Sequence, residues 1–185
     1  MKLFIGCSSS MKIKDEYMVD CKKYLDELFK EDNDLVFGAC NQSLMGLSYE
    51  SALKNKRNVI GIVPEIYKDQ LNNFSGEYIL TKTISNRTDS LIKESDALIF
   101  LPGGIGTVYE LFTAIESKRS GEVDKPIIIY NSCGYFDKLF SFLDEIYKEK
   151  FADEIVKTNY YISNSANDTI KYLKEYYNVK SPIKK

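Results

Sequence analysis

The residues best suited to chemistry lie between positions 99 and 110, which read Ile-Phe-Leu-Pro-Gly-Gly-Ile-Gly-Thr-Val-Tyr-Glu. An apolar run leads through Pro102 into a turn with three glycines in four positions, Gly103, Gly104 and Gly106, and then into an amphipathic stretch. Glycines without a Cβ let backbone N–H groups come close to a ligand. A helix that starts there aims unpaired N–H groups and the positive end of its dipole at the same point. The segment from Gly103 through Gly104, Ile105 and Gly106 to Thr107 is therefore a candidate phosphate cradle. Glu110 follows Thr107 by three residues, one turn into a helix that opens on Thr107, so a carboxylate stands beside the anion pocket. The same Thr-x-x-Glu spacing also fits a capping box, in which both side chains satisfy backbone N–H groups of the helix start. Both readings of Glu110 stay open on the residues alone.

The remaining composition narrows what that carboxylate can do. The chain has no histidine, which removes histidine triads and histidine metal sites and leaves acid–base work to Asp, Glu, Lys, Tyr, Cys or water. Its four cysteines, Cys7, Cys21, Cys40 and Cys133, form no C-x-x-C pair, so reduced, inert thiols are expected and no metal site. With 25 basic against 27 acidic residues and a net charge of −2, there is no basic field to hold a nucleic acid. No run of about 18 apolar residues is present to span a membrane, and the N-terminal stretch is too short for a secretory signal. A cytoplasmic protein is the expectation.

Elements that must position the turn can be read from the apolar pattern. Short apolar runs at 3–6, 35–38, 59–63, 78–80, 97–101, 127–130 and 160–162 read as strands. Amphipathic stretches at 15–30, 44–55, 86–95, 107–120, 135–150 and 167–177 read as helices between them. This alternation predicts an α/β fold, a single Rossmann-like domain over residues 1–177 with a mostly parallel sheet of about seven strands and helices on both faces. Residues 64–77 read as a surface loop and 178–185 as a polar tail. Asn86 is the expected cap of the third helix, and Gly121 the expected stop of the fourth. Ligands bind such sheets beyond the carboxyl ends of the strands where strand order reverses. Ser8 after the first strand, residues 39–45 after the second, Arg87 at the start of the third helix and the glycine turn all fall at that end.

Pro102, Gly103, Gly104, Gly106, Thr107 and Glu110 fill every fixed position of P-G-G-x-G-T-x-x-E, and Arg87 stands 23 residues before Glu110. In these residues the chain resembles the LOG family, the cytokinin riboside 5′-monophosphate phosphoribohydrolases, also labelled possible lysine decarboxylases. Gly6 to Ser10, Leu44-Met45-Gly46, Val59 to Pro64, Asp124-Lys125-Pro126 and Gly134-Tyr135-Phe136 resemble further family segments, so the likeness covers roughly residues 2–155. Two departures stand out: Thr88 replaces the lysine of an Arg-Lys pair, and Gly38-Ala39-Cys40 replaces a glycine triplet.

The resemblance implies hydrolysis of the N-glycosidic bond of adenosine 5′-monophosphate (AMP) or an N6-substituted AMP, without a cofactor, by a homodimer. Arg87 and Glu110 are the implied catalytic pair. Ser8, Arg87, Thr88, Gly103, Gly104, Ile105, Gly106, Thr107 and Glu110 are the implied substrate contacts. A pyridoxal-dependent decarboxylase would need a Schiff-base lysine with cofactor partners, and the motif supplies none. A nucleotide sensor or carrier of the same fold is the alternative. A dinucleotide oxidoreductase is weaker, since its G-x-G-x-x-G should follow the first strand, where Gly6-Cys7-Ser8-Ser9-Ser10 stands. The aromatic residues Tyr135, Phe136, Phe140 and Tyr147 recur near helical spacing and read as core or interface.

Overall fold

The apolar runs of the five inner strands are buried on both sides, as a parallel sheet requires, while those at 78–80 and 160–162 lie partly exposed at its two edges. A computed structural model describes residues 1–72 and 74–180 of the chain. Within them seven strands form one sheet: β1 (Lys2–Gly6), β2 (Asp34–Phe37), β3 (Val59–Pro64), β4 (Glu77–Thr81), β5 (Ala97–Phe100), β6 (Ile127–Tyr130) and β7 (Tyr161–Ser163). Their spatial order is β4-β3-β2-β1-β5-β6-β7, and every pairing is parallel. Six α-helices connect them: α1 (Asp15–Leu28), α2 (Ser43–Lys54), α3 (Ile84–Glu94), α4 (Ile105–Arg119), α5 (Asp137–Lys148) and α6 (Ala166–Lys180).

Alternate residues of each strand feed two cores. Leu3, Ile5, Leu35, Phe37, Ile99 and Tyr130 pack with Leu25 and Leu28 of α1, Ala52 of α2 and Leu173 of α6. Phe4, Val36, Ile62, Leu98, Phe100 and Ile129 pack with Leu91 of α3, Leu111 and Ala114 of α4 and Leu143 of α5. Each fully buried large side chain contributes roughly 1.5–3 kcal/mol by leaving water. Phe4 and Phe100, edge to face at 5.5 Å, bridge β1 and β5 at the point where the two halves of the sheet meet.

The chain runs outward from β1 to β4 and returns to lay β5 on the other side of β1. Strand order reverses between β1 and β5, and the loops after these two strands part there. The glycine turn follows β5 and Ser8 follows β1, so both sit at this switch point.

Several local expectations change. Residues 65–71 form a 3-10 helix, Glu65–Leu71, where a plain loop was expected, and Asn73 lies outside the described residues. The third helix begins at Ile84 and is capped by Thr83, whose hydroxyl oxygen accepts the Asn86 N–H, so Asn86 is the capped residue and not the cap. Gly121 follows the end of α4 with a φ of +80°, as a helix stop should. The fifth helix runs from Asp137 to Lys148, inside the expected 135–150, and is preceded by a 3-10 turn, Ser132–Gly134, with Cys133 at φ +50° and Gly134 at φ +71°. α6 continues to Lys180, so residues 178–180 of the expected tail are helical while 181–185 lie outside the described residues. Among the described residues no helix is long and apolar enough to cross a membrane.

Candidate active site

α4 starts two residues earlier than the Thr-x-x-Glu pattern indicated, with Gly104 in extended conformation as its N-cap and no side-chain capping bond. The capping box is thereby replaced. Thr107 is the third helical residue, and Glu110 is in the second turn, where its carboxylate is free of capping duty. Gly104, Ile105 and Gly106 are exposed at the mouth, and a Cβ on either glycine would meet nothing within 4 Å. The first N–H groups of the helix therefore open onto free space with the positive dipole end behind them.

Gly103 behaves differently. A methyl built on it would overlap the buried Thr107 side chain, 2.5 Å from its Cβ, so glycine is required for the turn to close on the helix. Gly103→Ala is expected to cost about 1–3 kcal/mol through overpacking, read as a lowered denaturant midpoint at unchanged slope.

Three loops are tied together at Ser8. Its N–H donates to the Pro102 carbonyl at 3.0 Å, its carbonyl accepts the Met45 N–H at 3.1 Å, and its hydroxyl accepts the Ser10 N–H at 3.0 Å. The turns after β1 and β5 and the start of α2 are thus one hydrogen-bonded unit. Ala39, in the loop after β2, and Ser43, the first residue of α2, take left-handed φ values of 56° and 54°. The departure at Gly38-Ala39-Cys40 therefore places a Cβ where backbone geometry favours glycine.

Arg87 reaches this unit from the first turn of α3. Its Nη2 donates to Glu110 Oε1, in a pair whose side chains are only 17% and 7% exposed. Its Nη1 lies near Gly38, at 3.5 Å from where a Cβ on that residue would stand. Arg87 Nε is buried and has no hydrogen-bond partner. Native proteins leave few such donors unmet, so this N–H is available to an oxygen of a bound molecule. Burial lowers the Arg87 pKa, opposed by the nearby Tyr67 and Tyr109, yet a guanidinium remains charged at neutral pH.

Thr88, grouped with the substrate contacts on sequence, faces elsewhere. One residue on from Arg87, the helix turns it into the core, where it is 0% exposed and its hydroxyl donates to the Ile84 carbonyl at 3.2 Å. Ser8, Arg87, Glu110 and the segment 103–107 are brought together; Thr88 stands behind them. Tyr135, read as core or interface, is 40% exposed, and its hydroxyl donates to the Gly103 carbonyl at 2.5 Å. It arrives from the turn after β6, so no spacing within the motif could have located it. Phe136 and Tyr147 are core, as expected.

Cys7 and Cys21 are buried thiols; burial pushes Cys7 well above its usual value and Cys21 up to about 12, which leaves neither a nucleophile. Among the described residues no group of three or more Cys, Asp or Glu side chains could hold a metal ion.

Fold and site together define a doubly wound α/β protein with an open anion cradle at its switch point and a buried arginine–glutamate pair beside it. The family model described as "Possible lysine decarboxylase" matches residues 45–173, and the chain belongs to that family, the LOG family. Cytokinin riboside 5′-monophosphate phosphoribohydrolase LOG3 of Arabidopsis thaliana is 32% identical over 177 residues, covering 95% of this chain and 82% of the relative. LOG1 of the same plant is 31% identical over 95% of this chain and 83% of its own length. Among solved structures, the Moco carrier protein of Chlamydomonas reinhardtii superposes with a TM-score of 0.70 at 16% identity, over 96% of this chain and 98% of that one. At this identity the likeness speaks for the fold.

Proposed function

We propose that the protein is a phosphoribohydrolase that cleaves the N-glycosidic bond of AMP, with or without an N6 substituent, to the free base and ribose 5-phosphate. The observation that carries this reading is the buried Arg87–Glu110 pair, with its unpartnered Nε, set against the uncapped start of α4. The names of the plant relatives support the same chemistry.

In this reading the 5′-phosphate occupies the N–H cradle of residues 104–107, and Arg87 contacts phosphate or ribose oxygens with its remaining donors. As the bond from the anomeric carbon to the base nitrogen breaks, its electron pair leaves with the base and positive charge develops on the ribose. Glu110, held beside the sugar, stabilises that charge and orients the water whose oxygen forms the new bond to the anomeric carbon. One proton of that water is transferred to the departing base.

Incubation of the purified protein with AMP and N6-substituted AMP, followed by chromatography, is expected to release free base and ribose 5-phosphate in equal amounts. Thermal stabilisation by AMP with no product over hours would replace the hydrolase with a nucleotide carrier. That second reading draws on the closed Arg87–Glu110 pair, whose charges neutralise each other, and on the carrier proteins that share the fold. The expected assembly is a homodimer; a monomer mass in sedimentation at micromolar concentration would remove it.

A further inference from the structure

The turn after β6 is built to hold one side chain over the glycine turn. Asn131 organises it: its Nδ2 donates to Asp137 Oδ1 at 2.7 Å and its Oδ1 accepts the Phe136 N–H at 2.8 Å. The Tyr135 ring is then gripped edge to face by Tyr17 of α1 at 5.5 Å and by Phe136 at 4.9 Å. Its hydroxyl donates to the Gly103 carbonyl.

That carbonyl shares a planar trans peptide with the N–H of Gly104, and in such a unit the C=O and N–H bonds point in opposite directions. Tethering the carbonyl to Tyr135 therefore aims the Gly104 N–H away from Tyr135. Among the described residues no protein acceptor takes this N–H. With glycine on both sides of the peptide, little in the local backbone opposes rotation of its plane. A flipped plane would present a carbonyl oxygen, and so repulsion, to an anion at the mouth of α4.

We propose that Tyr135 is a positioning residue for phosphate: its hydroxyl holds the Gly103–Gly104 peptide in the orientation that offers the Gly104 N–H to the ligand. The identity of the ligand rests on the phosphoribohydrolase reading. Tyr135→Phe keeps the gripped ring and deletes only the tether. Affinity for AMP and for ribose 5-phosphate, by titration calorimetry, is expected to fall about tenfold. Affinity for adenosine, which lacks the phosphate, should be unchanged. KM should rise by the same factor with kcat within about twofold, because the phosphate is bound equally in ground and transition states.

A second variant tests the peptide plane itself. Gly104 has φ −85°, which alanine accepts, and a methyl there meets nothing within 4 Å. The flipped plane would require a positive φ that alanine resists. In a Gly104→Ala background the tyrosine substitution is therefore expected to cost less than about threefold in AMP affinity. Unchanged AMP affinity in Tyr135→Phe, an equal loss for adenosine, a kcat loss at constant KM, or the same tenfold cost in both backgrounds overturns the proposal. If the wild-type protein binds AMP and releases no product, the hydrolase reading fails, and Tyr135 is still judged by the ratio of AMP to adenosine affinity. If the wild-type protein binds neither AMP nor ribose 5-phosphate, the positioning role falls with the cradle.

Discussion

Glu110→Gln is expected to lower AMP hydrolysis by about 10³-fold, equivalent to about 4 kcal/mol of transition-state stabilisation, while the protein stays folded. Glutamine has nearly the same shape and can still accept a hydrogen bond from Arg87, but it carries no charge to set against a cationic ribose. The structure sharpens this test, because Glu110 makes no capping contact that the substitution could disturb. Steady-state rates with a parallel thermal melt check it. A folded variant that hydrolyses AMP at the wild-type rate removes the carboxylate from the mechanism. The loss should fall in kcat more than in KM, since the charge it opposes exists only in the transition state.

Arg87→Met is expected to act on two quantities at once. Hydrolysis should fall by about 10²–10³-fold through loss of the donors that hold the substrate. Stability should fall by about 3 kcal/mol, because Glu110 would be left as a buried charge without its partner. Two facts bear on the second figure. Both side chains are largely withdrawn from water, so the unpaired carboxylate is expensive. Deleting Arg87 also removes its unpartnered Nε, which recovers part of that cost. The double variant Arg87→Met, Glu110→Gln separates the two effects. It is expected to regain most of the stability in denaturant melts and none of the activity. A single variant as stable as wild type would show that the pair contributes nothing net to the fold; one that retains full turnover would place Arg87 outside the site.

Much of this architecture was legible because parallel strands covered on both faces must be continuously apolar. Residues 97–101 and 127–130 could be read as strands for that reason, and strands are found at Ala97–Phe100 and Ile127–Tyr130. β4 was legible only over 78–80, and it is an edge: Glu77, Tyr78, Ile79 and Leu80 are exposed, so burial leaves a weaker pattern there. The glycine turn, Arg87 and Glu110 were legible through residue type and spacing. Tyr135 was not, since what gives it a role is a hydrogen bond to a carbonyl 32 residues away.

Sequence alone determined the repeating strand and helix units, the placement of a glycine turn after a buried strand, and the absence of any histidine to share the chemistry with Glu110. These follow from local apolar periodicity, backbone freedom and side-chain inventory, none of which needs a partner elsewhere in the chain. Tertiary structure decided which neighbour each functional side chain meets. Thr107-x-x-Glu110 could have been a cap until α4 started at Ile105 and turned Thr107 toward Gly103 and Glu110 toward Arg87. Arg87 and Thr88 are adjacent in the chain, yet the helical turn sends one into the cradle and the other into the core. The reversal of strand order beside β1 brings α3, the β5 turn and the β6 turn to one end of the sheet. Only that packing sets a guanidinium, a carboxylate and a phenol around the same open backbone.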